Sequence, residues 1–248
     1  MNETKWPKRV AILGLGPSVK EYLELTKRGG GRRAYYDQVW GINALGDVFA
    51  CDLIFHMDDV RIQEIRAKAR PDSNIAEMVR WLRDHPGPIL TSRNHPDYPG
   101  LVEFPLEAVI NSTRFPYFNS TAAYAVAYAV HLHLISGGEA VQELTVYGND
   151  FTYPNVHDAE KGRACVEFWL GYAGHLGVKI KIPRISSLMD ACHSQDERLY
   201  GYDTLAVKIN DTGEKMEVSF TERTELPSAE EIEGRYDHSR HPSPLVED

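Results

Sequence analysis

The chain has 248 residues, of which 42% are hydrophobic and 25% are charged, and its formal net charge is -9 at pH 7. This length and composition favour a single α/β domain with a substantial core, and the negative charge argues against a broad nucleic-acid groove or a membrane surface as partner. The sequence contains no apolar run of the roughly 18 residues that a transmembrane helix needs.

The cysteines and the first residues predict the cellular compartment. Cys51, Cys165 and Cys192 are odd in number and have no metal-type spacing. Residues 1–6 lack the apolar region of a signal peptide. Both features favour the reducing cytoplasm. The sequence leaves open whether the chain forms a homo-oligomer.

The clearest local pattern comes first in the chain. An apolar strand over 10–13 leads into a turn that contains Gly14, Gly16, Pro17 and Ser18, and then into a helix. The glycines allow a tight turn, Pro17 suits a first helical position, and Ser18 adds a hydroxyl to the first turn. Because a helix start offers free N–H groups and the positive end of its dipole, the turn predicts a phosphate site. The third glycine of the usual dinucleotide motif is absent, which argues against NAD.

Strands and helices alternate along most of the remaining chain. Further strands are predicted at 38–43, 52–57, 88–91, 144–147 and 178–182, with a short strand at 109–110, and helices at 19–27, 74–84 and 158–176. The strongest helix signal is an apolar segment that follows the capping residues Asn119, Ser120 and Thr121 and ends before Gly137. This alternation predicts a doubly wound, mainly parallel sheet over residues 1–200.

The C-terminal part changes character. Strands at 204–209 and 215–220, joined by a turn at 210–213, predict a β-hairpin within residues 201–221. Residues 222–248 are acidic and contain three prolines, so we expect a mobile tail or an arm that packs on a neighbouring molecule.

Polar residues follow several predicted strands, and the carboxyl ends of parallel strands are where open sheets bind ligands. Asn43 can hydrogen-bond a ribose or a base edge, or it can close a turn. Ser120 and Thr121 can hold a phosphate or a base, and they can also cap their helix. Asn149 and Asp150 can hold a ribose, or they can orient the loop that follows.

Two further groups carry possible chemistry. His157 lies beside Asp158 ahead of a helix, where it can act as acid or base near neutral pH, or can be a surface or capping residue. Asp58 and Asp59 can bind Mg²⁺ together with a substrate phosphate, or can form a solvated turn. Arg163 can meet a phosphate near the start of the long helix, or can be a solvated charge.

In their order along the chain, these residues resemble a known group of enzymes. The matching segments are the strand and Gly-x-Gly-Pro-Ser turn at 12–18, Gly-Ile-Asn at 41–43, the helix start at 119–123, and Gly-Asn-Asp-Phe at 148–151 followed by His157. Over residues 8–190 the chain resembles the bacterial sialyltransferases of glycosyltransferase family 42. It is also similar to the related archaeal 6-hydroxymethylpterin pyrophosphokinase-like family, and both imply a Rossmann-like core.

The resemblance implies a nucleotide over the 14–18 turn, the strand-end Asn43 and the helix-start Ser120. It assigns the general base to His157, and it gives Tyr147 and Tyr153 as counterparts of the tyrosine pair that assists the departing phosphate. The spacing between Phe151 and the histidine is shorter than in the sialyltransferases, so the resemblance does not identify sialic acid as the donor sugar.

Three functions follow as hypotheses. The first is a nucleotide-dependent transferase, glycosyltransferase-like, that uses a nucleotide-sugar donor and a histidine base and does not require Mg²⁺. The second is an Mg²⁺-dependent pyrophosphokinase that acts on a small hydroxymethyl heterocycle and uses Asp58 or Asp59. The third is a non-catalytic nucleotide-binding protein.

Overall fold

A computed structural model of the chain describes residues 6–152, 155–193, 198–202 and 204–235. It confirms the predicted fold class, since seven parallel strands form one sheet with helices on both faces, in a Rossmann-like arrangement. The strands are β1 (Arg9–Leu13), β2 (Gln38–Ile42), β3 (Leu53–Phe55), β4 (Ile89–Thr91), β5 (Leu101–Glu103), β6 (Glu143–Tyr147) and β7 (Lys179–Lys181). Their order across the sheet is β5-β4-β3-β2-β1-β6-β7.

The helices connect these strands in chain order. They are α1 (Val19–Arg28), α2 (Leu45–Val48), α3 (Val60–Ala69), α4 (Asn74–Asp84), α5 (Leu106–Thr113), α6 (Thr121–Ile135) and α7 (Val156–His175). After the parallel sheet, β8 (Leu205–Asp211) and β9 (Met216–Glu222) form the predicted antiparallel hairpin as a separate two-stranded sheet.

The two faces of the sheet have separate apolar cores. On one face, Ile12 of β1 and Phe55 of β3 share a buried cluster with Val126 of α6 and Trp169 of α7. On the other face, alternate strand residues pack against the first four helices, as Leu13 does beside Tyr22 of α1. Because side chains alternate along a strand, this division follows directly from the apolar runs in the sequence.

β1 is the strand at which the direction of winding changes. Its register pairs it with β2 on one side, where Leu13 lies beside Gly41, and with β6 on the other, where Leu13 lies beside Tyr147. The chain therefore leaves β1 and β6 toward opposite faces, and a crevice opens between the two following loops.

One predicted element is wrong, and several were not predicted. Residues 109–110, predicted as a strand, lie inside α5, because apolar residues at Leu106, Val109 and Ile110 have helical spacing. The sequence prediction also missed α3 and β5. Half of the residues of α3 are polar or charged, and β5 has only three residues.

The C-terminal region is described only in part. Within the predicted tail, α8 (Ala229–Arg235) is helical, and residues 236–248 lie outside the described residues. Among the described helices, none combines the length and the apolar character that crossing a bilayer requires.

Candidate functional site

A cavity of about 400 Å³ opens at the carboxyl ends of β1, β2 and β6, at the crevice where winding changes direction. This volume is in the range of small-molecule sites. Its walls come from the β1–α1 turn, the end of β2, the start of α6 and the β6–α7 loop. The lining residues are Gly14, Leu15, Gly16, Pro17, Ile42, Asn43, Ser120, Thr121, Ala122, Gly148, Asn149, Asp150, Phe151 and Thr152. The structure thus brings together most of the residues predicted from sequence.

The β1–α1 turn uses its N–H groups within the protein. The Gly14 N–H donates to Tyr147 O, and the Gly16 N–H donates to Gly148 O, each over 2.7 Å. A Cβ on Gly14 would lie 2.4 Å from Gly148 O, so the first glycine is required by the close approach of the neighbouring loop. The predicted phosphate site at this turn therefore lacks two of the donors it was expected to offer.

Ser18 and Asp150 add further hydrogen bonds within the protein at this turn. The Asp150 carboxylate is 1% exposed and accepts from the Ser18 N–H at 2.8 Å and from the Ser18 hydroxyl at 2.7 Å. It also accepts a short hydrogen bond from the Ser186 hydroxyl. The start of α1 thus already has an anion from the protein. The helix begins at Val19, as predicted, and Pro17 lies before its first residue.

The start of α6, unlike that of α1, has first-turn N–H groups that no acceptor in the described part of the chain uses. Ser120 caps this 15-residue helix, because its hydroxyl accepts from the Ala123 N–H at 3.2 Å. The N–H groups of Thr121 and Ala122 belong to the first turn and have no carbonyl partner within the helix. Both residues line the cavity, so the positive end of the α6 dipole faces it. Of the two helices, α6 is therefore the one whose first-turn N–H groups face the cavity unused by acceptors of the described residues.

Two asparagines supply the amide groups of the cavity. Asn43 directly follows β2 with φ 53, and its Oδ1 is buried without a hydrogen-bond partner among the described residues. Asn149 Nδ2 donates to Tyr147 O at 3.0 Å, while the side chain forms part of the wall. Asn43 is therefore the lining residue whose acceptor most clearly lacks a protein donor.

His157 is not among the described residues that line this cavity. It lies in the first turn of α7, and its Nδ1 is buried without a partner in the described part of the chain. An open groove of about 560 Å³ runs from Phe151 and Thr152 along α7 past Val156 and Glu160, so the cavity and the start of α7 share a continuous surface.

Two charged side chains of this groove, Arg163 and Glu167, are engaged in hydrogen bonds. Arg163 donates to Glu167 at 2.9 Å and to Asp190 at 2.8 Å. This explains the position of the arginine without a phosphate.

The structure gives Asp59 a structural role. Its carboxylate caps α3 by accepting from the Arg61 N–H at 2.8 Å, and it lies 3.8 Å from His95 Nε2. Asp58 is exposed. Among the residues that the structure describes, no group of three or more His, Cys, Asp or Glu side chains is arranged to hold a metal ion.

The structure describes only one of the two tyrosines that the resemblance implies. The Tyr147 side chain is buried against α1, and its hydroxyl lies 2.7 Å from the Tyr36 hydroxyl. Burial raises the pKa of Tyr147 far above its ordinary value. Tyr153 lies outside the described residues.

Sequence reasoning did not single out His56, which follows β3, and it included Thr91, at the end of β4, only as one of several polar residues at strand ends. Both are 0% exposed, and the His56 ring nitrogens and Thr91 Oγ1 have no partner among the described residues. Burial lowers the pKa of His56 below its ordinary value. The signal that could have found them is their position at the carboxyl ends of adjacent parallel strands.

Comparisons with protein-family models, curated protein sequences and solved structures found no match to this chain. The resemblance to the sialyltransferases and pyrophosphokinases therefore stays a prediction from the residues. The fold and the cavity define the class of this protein: a doubly wound α/β domain with a cavity at the point where its winding changes direction.

Proposed function

We propose that this protein is a nucleotide-dependent transferase that binds a nucleotide or nucleotide sugar in the switch-point cavity. The observation that carries the proposal is the unused first turn of α6 at the wall of a cavity that Asn43 also lines. The free N–H groups of Thr121 and Ala122 suit a phosphate, and the amide of Asn43 suits a ribose hydroxyl or a base edge.

The charges of the cavity wall fit a nucleotide-sugar donor whose phosphate is held by backbone N–H dipoles. Among the described lining residues, Asp150 carries the formal charge, and its oxygens are occupied by Ser18 and Ser186. A phosphate at α6 would meet preorganised backbone donors, which also stabilise the charge that develops when a phosphate leaves. Glycosyl transfer from a nucleotide sugar is the reaction that this wall and the resemblance favour together.

Binding is tested by thermal shift with CMP, UDP, GDP, ATP and the sugar derivatives of these nucleotides, with Mg²⁺ or with EDTA. A ligand of the native state raises the melting temperature. We expect a shift with one nucleotide family in EDTA. We also expect about tenfold weaker binding in Asn43→Asp, which keeps a residue tolerant of positive φ but turns the amide into an anion.

The matched control is Asn111→Asp, at an exposed position of α5, which should bind like the native chain. No shift with any nucleotide in the native chain would refute the proposal. A shift that requires ATP and Mg²⁺ together would instead favour the pyrophosphokinase hypothesis.

The general base of the proposed reaction is His157. Its position in the first turn of α7, between Val156 and Glu160, which line the groove, supports this role. The imidazole would take the acceptor hydroxyl proton as that oxygen bonds the sugar carbon and the nucleotide phosphate departs. We expect His157→Ala to lower transfer by about 10²–10⁴-fold while the thermal shift with nucleotide persists.

His175→Ala provides the control, because His175 is an exposed histidine in the last turn of the same helix. Turnover is measured as release of the free nucleotide from the nucleotide sugar that gives the largest shift. Equal turnover in His157→Ala and His175→Ala would show that His157 is not the base.

A further inference from the structure

The hairpin of β8 and β9 leaves apolar side chains open on one strand. Val207 of β8 lies opposite Phe220 of β9, so their side chains share one face of this small sheet. Met216 and Val218 lie on the same face, because side chains two residues apart on a strand point the same way. Met216, Val218 and Phe220 are 65%, 51% and 54% exposed. An isolated two-stranded hairpin is marginally stable in water, so this half-open face needs a further strand or helix beside it.

The outer edge of β9 is open as well. At one end of the hairpin the Arg223 N–H donates to Thr204 O, and at the other end the Thr212 N–H donates to Lys215 O. Because backbone groups alternate in direction along an antiparallel strand, the odd-numbered residues of β9 face β8 and the even-numbered residues face outward. All seven residues of β9 are exposed, and among the described strands β9 pairs with β8 alone. An open edge of this kind is a template for another strand.

The charges along β9 favour a second copy of the same strand as that partner. Two copies related by a two-fold axis pair antiparallel, with outward-facing residues of one copy opposite outward-facing residues of the other. With the axis at Phe220, Glu217 lies opposite Arg223 of the second copy, and Ser219 lies opposite Thr221. The axis repeats each pair, so this register opposes unlike charges at both ends of the interface.

The neighbouring registers oppose like charges instead. With the axis moved one residue toward the hairpin turn, Lys215 lies opposite Arg223 of the second copy. With the axis moved one residue the other way, Glu217 lies opposite Glu225. Like charges directly opposite each other destabilise a pair of strands. The sequence of β9 and its flanks therefore distinguishes the register at Phe220 from the registers beside it.

The contacts that these side chains make within one copy are compatible with the pairing. Glu217 Oε1 lies 3.0 Å from Lys215 Nζ, and Arg223 Nε donates to a backbone oxygen of β8 at 3.2 Å. Both charged residues stay exposed in the single chain. Phe220 stacks on Tyr202 with the ring centroids 5.9 Å apart, so the residue at the axis is held in place by its own chain.

We infer that β9 is the surface through which two copies of this chain form a dimer, with antiparallel β9 strands and the two-fold axis at Phe220. The two hairpins then form one four-stranded sheet, in which each β9 lies between its own β8 and the second β9. Because both copies use the same patch, the contact closes at two copies and leaves no open edge on β9. The inference goes beyond the proposed function and does not depend on a nucleotide.

The mass of the full chain in solution tests the inference, and Val218→Lys is the disrupting variant. We expect the native chain, at about 10 μM, to sediment at twice its chain mass of 28.0 kDa. A lysine on an edge strand opposes pairing with another strand, so Val218→Lys should raise the dimer dissociation constant at least about tenfold. The control is Ile62→Lys, because Ile62 is 56% exposed and lies in α3 rather than in the hairpin. This control should sediment like the native chain.

Charge reversal tests the register and separates its loss from misfolding. Glu217→Arg and Arg223→Glu each place like charges opposite each other twice, so each should weaken the dimer by about three- to tenfold. The two reversals together restore unlike pairs, so the double variant should dimerise more tightly than either single variant. A second substitution would not rescue a hairpin that had failed to fold.

A native chain that stays monomeric at about 100 μM overturns the inference, and residues 236–248 of the same chain or another protein would then be the occupant of this edge. A dimer that persists in Val218→Lys also overturns it, because its interface lies elsewhere. A double variant that is no tighter than either single variant overturns the pairing at Phe220. Nucleotide is absent from every arm, so failure of the proposed function cannot produce any of these results.

Discussion

The Asp150 carboxylate joins three parts of the chain that are far apart in sequence. It receives hydrogen bonds from the Ser18 backbone and side chain, 132 residues away, and from the Ser186 hydroxyl. The Ser18 hydroxyl in turn accepts from the Gly148 N–H at 2.7 Å. Asp150 therefore fixes the spacing between the β1–α1 turn and the β6–α7 loop, which are two walls of the cavity.

This network predicts a large loss of stability in Asp150→Asn. The amide keeps the shape, but it puts an NH₂ group against donors that need an acceptor. We expect the free energy of unfolding to fall by about 2–4 kcal/mol, the range for buried charge-assisted hydrogen bonds. Urea unfolding measures the change. Asp84→Asn, at the exposed end of α4, is the control, and equal stability of the two variants would contradict the role given to Asp150.

Single residues differ in how well the sequence predicted them. Asn43 and Ser120 were found because each follows or begins an element whose type was clear, and both line the cavity. The hydrogen bonds that the Gly14 and Gly16 N–H groups donate could not be predicted, because their acceptors lie more than 130 residues away in the sequence. Local patterns identify a backbone turn, but they do not identify its partner.

At the scale of elements, the choice between two helix starts decides where an anion would bind. Both α1 and α6 begin at the cavity, and the sequence favoured α1 because of its glycines. In the structure, a protein carboxylate occupies the start of α1, while Ser120 caps α6 and leaves the first-turn N–H groups at the cavity. A helix dipole is available to a ligand only where no side chain already uses it.

The elements that sequence reasoning missed are short or have weak periodicity. Half of the residues of α3 are polar or charged, and Ile62 and Ile65 are exposed, so its apolar stripe is faint. The strand β5 has only three residues and lies at the edge of the sheet. By contrast, β1 and β6 are mainly apolar and each leads directly into a glycine turn, and their prediction was confirmed.

The whole molecule should lose stability in acid through its buried histidines. His131 of α6 is 8% exposed, its Nδ1 lies 2.8 Å from Ser112 Oγ, and burial lowers the pKa of its ring below the ordinary value. The unfolded chain therefore binds a proton first as the pH falls. The stability contributed by this neutral ring is present above roughly pH 6.5 and is lost progressively below it.

We expect His131→Gln to show a smaller loss of unfolding free energy than the native chain between about pH 8 and about pH 5.5. His175→Gln, at an exposed position, should keep the native dependence. Chemical unfolding at both pH values measures the difference. Identical pH dependence in the native chain and in His131→Gln would show that this ring does not contribute.

The central place of β1 has a consequence for synthesis on the ribosome. The first strand made is paired with β2 on one side, but its other neighbour is β6, which ends at Tyr147. Until about three fifths of the chain has emerged, β1 has an open edge, and closing the loop to β6 costs chain entropy. The cavity, whose walls come from both sides of that late pairing, can serve as an indicator of completed folding.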